Sequence, residues 1–232
     1  YERVIRDWSS DVCSSDLAAL HASHRFSTAA DQVTALLRSR FQIVREKLDH
    51  WEGWKTIRLQ PPVLILGERH EVELGIRQLR RTIDLQTTTV QGLLVPTPAE
   101  TLRIKAFLCT ERRMMRDYLD VAALADLLGE DGAKDALAPL NLLYEPRGNQ
   151  TRLTAFAQTA FEVPPDFDPA VLASYKGLRA PYTDWNHVSG VCRTLGAAMA
   201  QRELEGRLPE QLPEGFRRVD ETREEGTEGH GC

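Results

Sequence analysis

The chain has no long apolar run. Nothing in it approaches the roughly 20 consecutive apolar residues that a membrane helix requires. It is also poor in cysteine, with 4 in 232 residues and no CxxC pair. That excludes a disulfide framework and a cysteine-based zinc site, and it points to a reducing, cytoplasmic setting. The start shows no charged region, apolar stretch and cleavage site in sequence, so no signal peptide is read there. Charge of either sign is weak. A net charge of −5 gives no global footprint for nucleic acid or a membrane surface, so an anionic ligand would need a local cation cluster. No internal repeat is visible. What is present is ordinary globular composition, 42% hydrophobic and 27% charged, which excludes collagen-like and wholly disordered classes. The length suits one large domain or two small ones, able to bury roughly 70% of the unfolded surface.

The ends differ from the middle. Residues 7–17 read DWSSDVCSSDL. All eleven match the translation of a DNA sequencing-library adapter, which implies that residues 1–17 are an artefact to be set aside as a fusion scar would be. Residues 207–232 hold seven acids, four bases, four Gly, Pro209 and Pro213, a composition that predicts a disordered tail. The two ends carry net charges of −2 and −3, which leaves residues 18–206 neutral.

Within 18–206 the periodicity changes once. Val33, Leu36, Leu37, Phe41, Val44 and Leu48 recur at helical spacing, predicting an amphipathic helix over 32–50. Residues 54–95 alternate or are rich in β-branched residues, with turn signals at Pro61-Pro62, Gly67 and Gly92, which predicts a sheet of three to five strands. From Thr97 the pattern is helical. Thr97-Pro98-Ala99-Glu100 reads as a capping box with Pro at the first helical position. Further helices follow from about Arg113 to Gly129 and over 132–144, 150–161, 168–174 and 184–205, broken at Pro164-Pro165 and Pro181. The expected class is α+β: a small mixed sheet in 18–96 and a helical half in 97–206.

Three features could carry chemistry. Arg25-Phe26-Ser27-Thr28-Ala29-Ala30-Asp31 precedes the 32–50 helix. Glu73 lies in a strand on the face opposite Leu74. The helices hold Lys105 and then Arg116-Asp117-Tyr118-Leu119-Asp120. Each has a plain structural reading. Asp31 could cap the helix, Glu73 and Lys105 could face solvent, and Asp117 and Asp120, three apart on one helical face, could make structural ion pairs with Arg116. Together they supply what phosphoryl and nucleotidyl transfer needs: carboxylates for Mg²⁺ and cations for phosphate. Arg103, Lys105, Arg112, Arg113 and Arg116 read as a local basic cluster in an otherwise neutral region.

The stretch LRIKAFLCTERRMMRDYLDVAALADLLG (102–129) resembles the Lys-plus-RDxxD helical pair of AbiEii/AbiGii-type nucleotidyltransferases. These are toxins of bacterial toxin–antitoxin and phage-abortive systems. Residues 18–101 are similar to the upstream part of such proteins, and 131–206 match only as a generic helical extension. The resemblance implies a polymerase-β-like nucleotidyltransferase fold. It also implies transfer of NMP from an NTP to a tRNA or protein acceptor with Mg²⁺, a cognate antitoxin as partner, and no membrane. Residue by residue, it implies Asp31 and Glu73 as metal and catalytic carboxylates, and Lys105 as catalytic and nucleotide-binding. Asp117 would be the functional aspartate of RDxxD and Asp120 a structural one. Arg25, Ser27 and Arg116 would bind nucleotide.

Two departures stand out. The glycine motif expected just before Ala18 is absent, which reads as a truncation. Ala29 stands where the first metal aspartate belongs. Losing one ligand of a two-metal clamp to a methyl group weakens the site, so the chain as written could be inactive. The alternative is a non-catalytic binding or regulatory relative that kept the fold. A third reading is a helical interaction protein whose RDYLD run is merely solvated.

Overall fold

The computed structural model describes residues 12–13, 17–25, 29–34, 36–90 and 93–218. The N-terminal part holds a five-stranded mixed sheet. Its strands are β1 (Val12–Cys13), β2 (Ala29–Thr34), β3 (Trp54–Gln60), β4 (Leu64–Arg69) and β5 (Val72–Gln78), in the spatial order β1-β2-β5-β4-β3. Only β2 and β5 run parallel; the other pairs are antiparallel. A separate hairpin follows, β6 (Thr87–Val90) with β7 (Leu93–Pro96).

A short helix α1 (Leu17–Ala22) precedes β2, and α2 (Leu37–Asp49) follows it. The helix read over 32–50 therefore starts five residues late, and Asp31 is a strand residue instead of a cap. Val33 and Thr34 are β-branched and suit a pleated strand. The parallel ladder from Ala29–Thr34 to Glu73–Gln78 satisfies their backbone groups as a helix would, and the Leu36 amide donates to Thr34 Oγ1 at 3.1 Å as the chain turns. From there the helical spacing holds. Leu37, Phe41, Val44 and Leu48 are buried against Ile65 and Ile76, with Trp51, Trp54 and Leu59 around them. One face of the sheet is thus covered by α2. The Trp54 indole lies so close over Gly67 that a Cβ there would sit 2.2 Å from Cζ2, which requires glycine.

The helical half comprises α3 (Pro98–Arg112), α4 (Met115–Leu137), α5 (Leu140–Leu143), α6 (Arg152–Ala160), α7 (Pro169–Ser174) and α8 (Trp185–Leu204). Gly129, at φ 73°, breaks α4 where the sequence placed a helix end. Leu102, Ala106, Tyr118, Leu119, Leu153, Phe156, Val188 and Met199 form the main core, and α1 contributes Ala18. At the start of α3, Thr97 Oγ1 accepts from the Glu100 amide at 3.1 Å. The reciprocal half of the capping box is missing: the Thr97 amide donates to the Gln86 carbonyl. The Glu100 carboxylate is fully buried and is used elsewhere, by Arg81 Nη1 at 2.8 Å and Arg103 Nη1 at 3.0 Å.

The segment from 207 behaves differently from its composition. Leu208, Leu212 and Phe216 pack on the helical core, the Asp84 amide donates to the Arg217 carbonyl, and the Arg103 guanidinium sits 5.0 Å over the Phe216 ring. The described part, 207–218, holds only two of the tail's seven acids, and its three apolar residues dock it. The rest of that tail, 219–232, and the adapter-like residues before Val12 lie outside the described residues. Among the described residues no helix is long and apolar enough to cross a membrane.

Candidate functional site

The geometry gathers candidate residues in two places. The first is the face of the sheet away from α2. In the parallel ladder Ala29 is opposite Glu73 and Asp31 is opposite Gly75. Alternation places Ala29, Asp31 and Glu73 on one face, away from the Leu74 and Ile76 positions that face α2. Glu73 is exposed. On the other side of β5, Glu68 is directly opposite Glu73 and Lys55 is opposite Glu68. The row across four strands thus reads Ala29, Glu73, Glu68, Lys55. Like charges facing each other across a ladder repel, so this is a row with surplus negative charge. Glu68 was missed by the sequence reading. The available signal was the hairpin Glu68-Arg69-His70-Glu71-Val72-Glu73: His70 and Glu71 both have positive φ, 50° and 63°, as a two-residue type I′ turn demands, and that turn fixes Glu68 opposite Glu73. The side chain of Asp31 and all of Ser27 lie outside the described residues.

The second place is the buried carboxylate of Asp120 in α4. Lys105 Nζ lies 2.7 Å from its Oδ2. His24 Nε2 is 2.9 Å from Oδ1. Arg25 donates from Nε at 3.1 Å and from Nη2 at 3.2 Å, one bond to each oxygen. Burial alone would push the Asp120 carboxyl up, but Lys105, the His24 hydrogen bond and Arg25 together hold it well below the usual carboxylate range. Asp120 thereby ties α3, α4 and the residues leading into β2 to one point. An ammonium carries three donors, and the Asp120 contact uses one of those on Lys105. His24 is wholly buried, its Nδ1 has no hydrogen-bond partner among the described residues, and its ring meets Tyr182 edge-on at 5.6 Å.

Asp117 is placed elsewhere. It is fully buried and takes a bidentate pair from Arg112, Nε at 3.0 Å and Nη2 at 2.7 Å. This pair braces the α3–α4 corner, where Arg113 adopts φ 54°. Arg116 does not pair with Asp117, because adjacent helical residues do not face each other; it is exposed. The basic cluster read from the sequence is therefore not one patch. Arg103 pairs with Glu100, Lys105 with Asp120, Arg112 with Asp117 and Arg113 with Glu162. Of the two RDxxD aspartates, Asp120 meets the lysine and Asp117 does not. Among the described side chains, no three His, Cys, Asp or Glu groups converge closely enough to hold a metal ion.

No known protein-family profile matches the chain. Among curated proteins it is similar to the heme uptake protein MmpL11 of Mycobacterium tuberculosis, 29% identical over 133 residues. That stretch is 53% of this chain and 13% of MmpL11, so the chain spans about an eighth of the relative's length. Among solved structures it is similar to a candidate nucleotidyltransferase of Helicobacter pylori, with a TM-score of 0.50, 14% identity, and coverage of 86% of this chain and 90% of the other. Likeness to Helicobacter pylori JHP933 is lower, with a TM-score of 0.45, 15% identity, and coverage of 85% and 86%. The likeness at TM-score 0.50 and the topology agree on the class: a small mixed sheet and a helical half in a nucleotidyltransferase-like α+β fold.

Proposed function

We propose that the chain is a nucleotidyltransferase-fold protein of toxin–antitoxin type that binds an NTP and transfers its NMP to an RNA, such as tRNA, or to a protein acceptor. In this reading Lys105 and Arg25, positioned by Asp120, meet the phosphates, with Arg116 and Ser27 at the rim. The acceptor hydroxyl oxygen bonds to the α-phosphorus, the bond to the β-phosphate oxygen breaks, pyrophosphate leaves, and the hydroxyl proton passes to water. The observation that carries the reading is the β2–β5 register. It sets Asp31 and Glu73 on one face, at the end of a segment that Arg25 ties to the Asp120–Lys105 pair.

Mg²⁺ fits this donor set in a limited way. Asp31 and Glu73, with Glu68 one strand over, would hold one ion whose remaining ligands are waters and phosphate oxygens, as Mg²⁺ prefers. Its contribution would be to neutralise phosphate charge. Ala29 opposite Glu73 withholds the carboxylate that a second ion would need. That same observation favours the second reading, a binding or regulatory relative with the fold and without transfer.

Transfer of label from each NTP to RNA and protein acceptors separates the two, run on the chain and on Ala29→Asp. The expected outcome is Mg²⁺-dependent NTP binding by both and transfer that is at least about tenfold faster in Ala29→Asp. Binding by both with transfer by neither would select the regulatory reading. No NTP binding by either would end both.

A further inference from the structure

A second feature lies next to the Asp120 cluster and takes no part in it. Between α7 and the first turn of α8 is a half-open cleft of about 400 Å³, lined by Phe167, Pro169, Leu172, Ala173, Thr183 and Trp185. The volume is within the range of small-molecule sites, roughly 300–1,000 Å³. Its walls are apolar and aromatic. Phe167 and Trp185 meet with ring centroids 4.7 Å apart at 31°, and Trp185 is only half-buried.

We propose that this cleft receives the base of a nucleotide, stacked on Trp185 and Phe167. The inference rests on the nucleotide reading above and adds where the base goes. Three links place the cleft beside the Asp120 cluster. Tyr182, adjacent to Thr183, has its ring against His24, whose Nε2 is on Asp120. The Trp185 ring lies 5.9 Å from that of Tyr118, two residues before Asp120. Asp166, adjacent to Phe167, accepts from the Met115 amide at 2.7 Å and so fixes that wall to the first turn of α4.

The chemistry suits a base better than an aliphatic ligand. Flat π-faces accept any base by stacking.

The test uses the full chain with three probes: adenosine, inorganic tripolyphosphate and ATP. Binding is followed by calorimetry and by the indole N–H resonance of Trp185, identified as the one lost in Trp185→Phe. Ala173→Trp fills the cleft from an exposed position without removing a core contact. The expected result is that adenosine and ATP shift the Trp185 resonance. Ala173→Trp then weakens ATP by about tenfold or more and leaves tripolyphosphate within about twofold. If ATP and tripolyphosphate bind but the Trp185 resonance and the Ala173→Trp affinity do not respond, the cleft proposal falls and the nucleotide reading stands. If adenosine and ATP shift Trp185 while tripolyphosphate does not bind, the cleft stands and the phosphate reading falls. No response of Trp185 to any probe overturns the cleft proposal.

Discussion

Replacing Asp120 with Asn removes one negative charge and little volume, from a point where three residues converge. Lys105 and Arg25 have side chains only 5% and 10% exposed. In Asp120→Asn both remain in place with no carboxylate between them. Breaking a buried ion pair by deleting one partner costs about 3–5 kcal/mol, because the remaining charge is left uncompensated. With a urea slope of about 3 kcal/mol/M for a chain of this size, the midpoint falls by about 1–1.7 M. Lys105→Met should cost less, about 1–3 kcal/mol, because His24 and Arg25 still donate to Asp120. The double variant then loses less than the sum of the two, and the coupling should exceed about 1 kcal/mol. The assay is urea unfolding followed by far-UV circular dichroism on all four proteins. Additivity within about 0.5 kcal/mol, or an Asp120→Asn loss below about 1 kcal/mol, would refute the view that Asp120 is the hub.

Two further outcomes follow from the same packing. The Asp120 carboxyl is held below its unfolded pKa of about 3.9, so its stabilisation is fully present above that value and fades as pH falls through it; thermal melts from pH 6 to 3 should show a shallower loss for Asp120→Asn, and parallel curves would count against the pairing. Gly67→Ala drives a methyl group into the Trp54 ring, which the Trp54 Nε1 bond to Thr56 Oγ1 at 2.9 Å holds in place; the expected loss is about 1–3 kcal/mol with an altered near-UV spectrum, and it should shrink in a Trp54→Leu background.

Periodicity made much of the fold legible. The helical spacing of Leu37, Phe41, Val44 and Leu48 marks the stripe that packs on the sheet, and Thr97-Pro98 marks the start of α3 to the residue. Val33 continues the apolar spacing of the helix, so by spacing alone it and Thr34 read as helical. Only the neighbouring β5 ladder shows that they are a strand. The tail shows the converse: composition counts its acids, five of the seven beyond residue 218, while Leu208, Leu212 and Phe216 pack the described part on the helical core.

For the site, the residue types were visible and their partners were not. Lys105 and the two RDxxD aspartates stand out as charges in apolar helices. Which aspartate meets the lysine depends on how α3 crosses α4, and the crossing selects Asp120 while the corner gives Asp117 to Arg112. The cations at 103, 105, 112, 113 and 116 are neighbours in the chain, yet helical rotation and the bend at Arg113 turn them to different partners. His24 gained its place from Asp120, and Glu100 its partner in Arg81, both distant in the chain. The sequence by itself determined the α+β class and the apolar faces, because these are local properties of residue type and spacing. Strand register, ion-pair partners and the cleft at Trp185 were decided only by the tertiary structure, because each depends on contacts between segments distant in the chain.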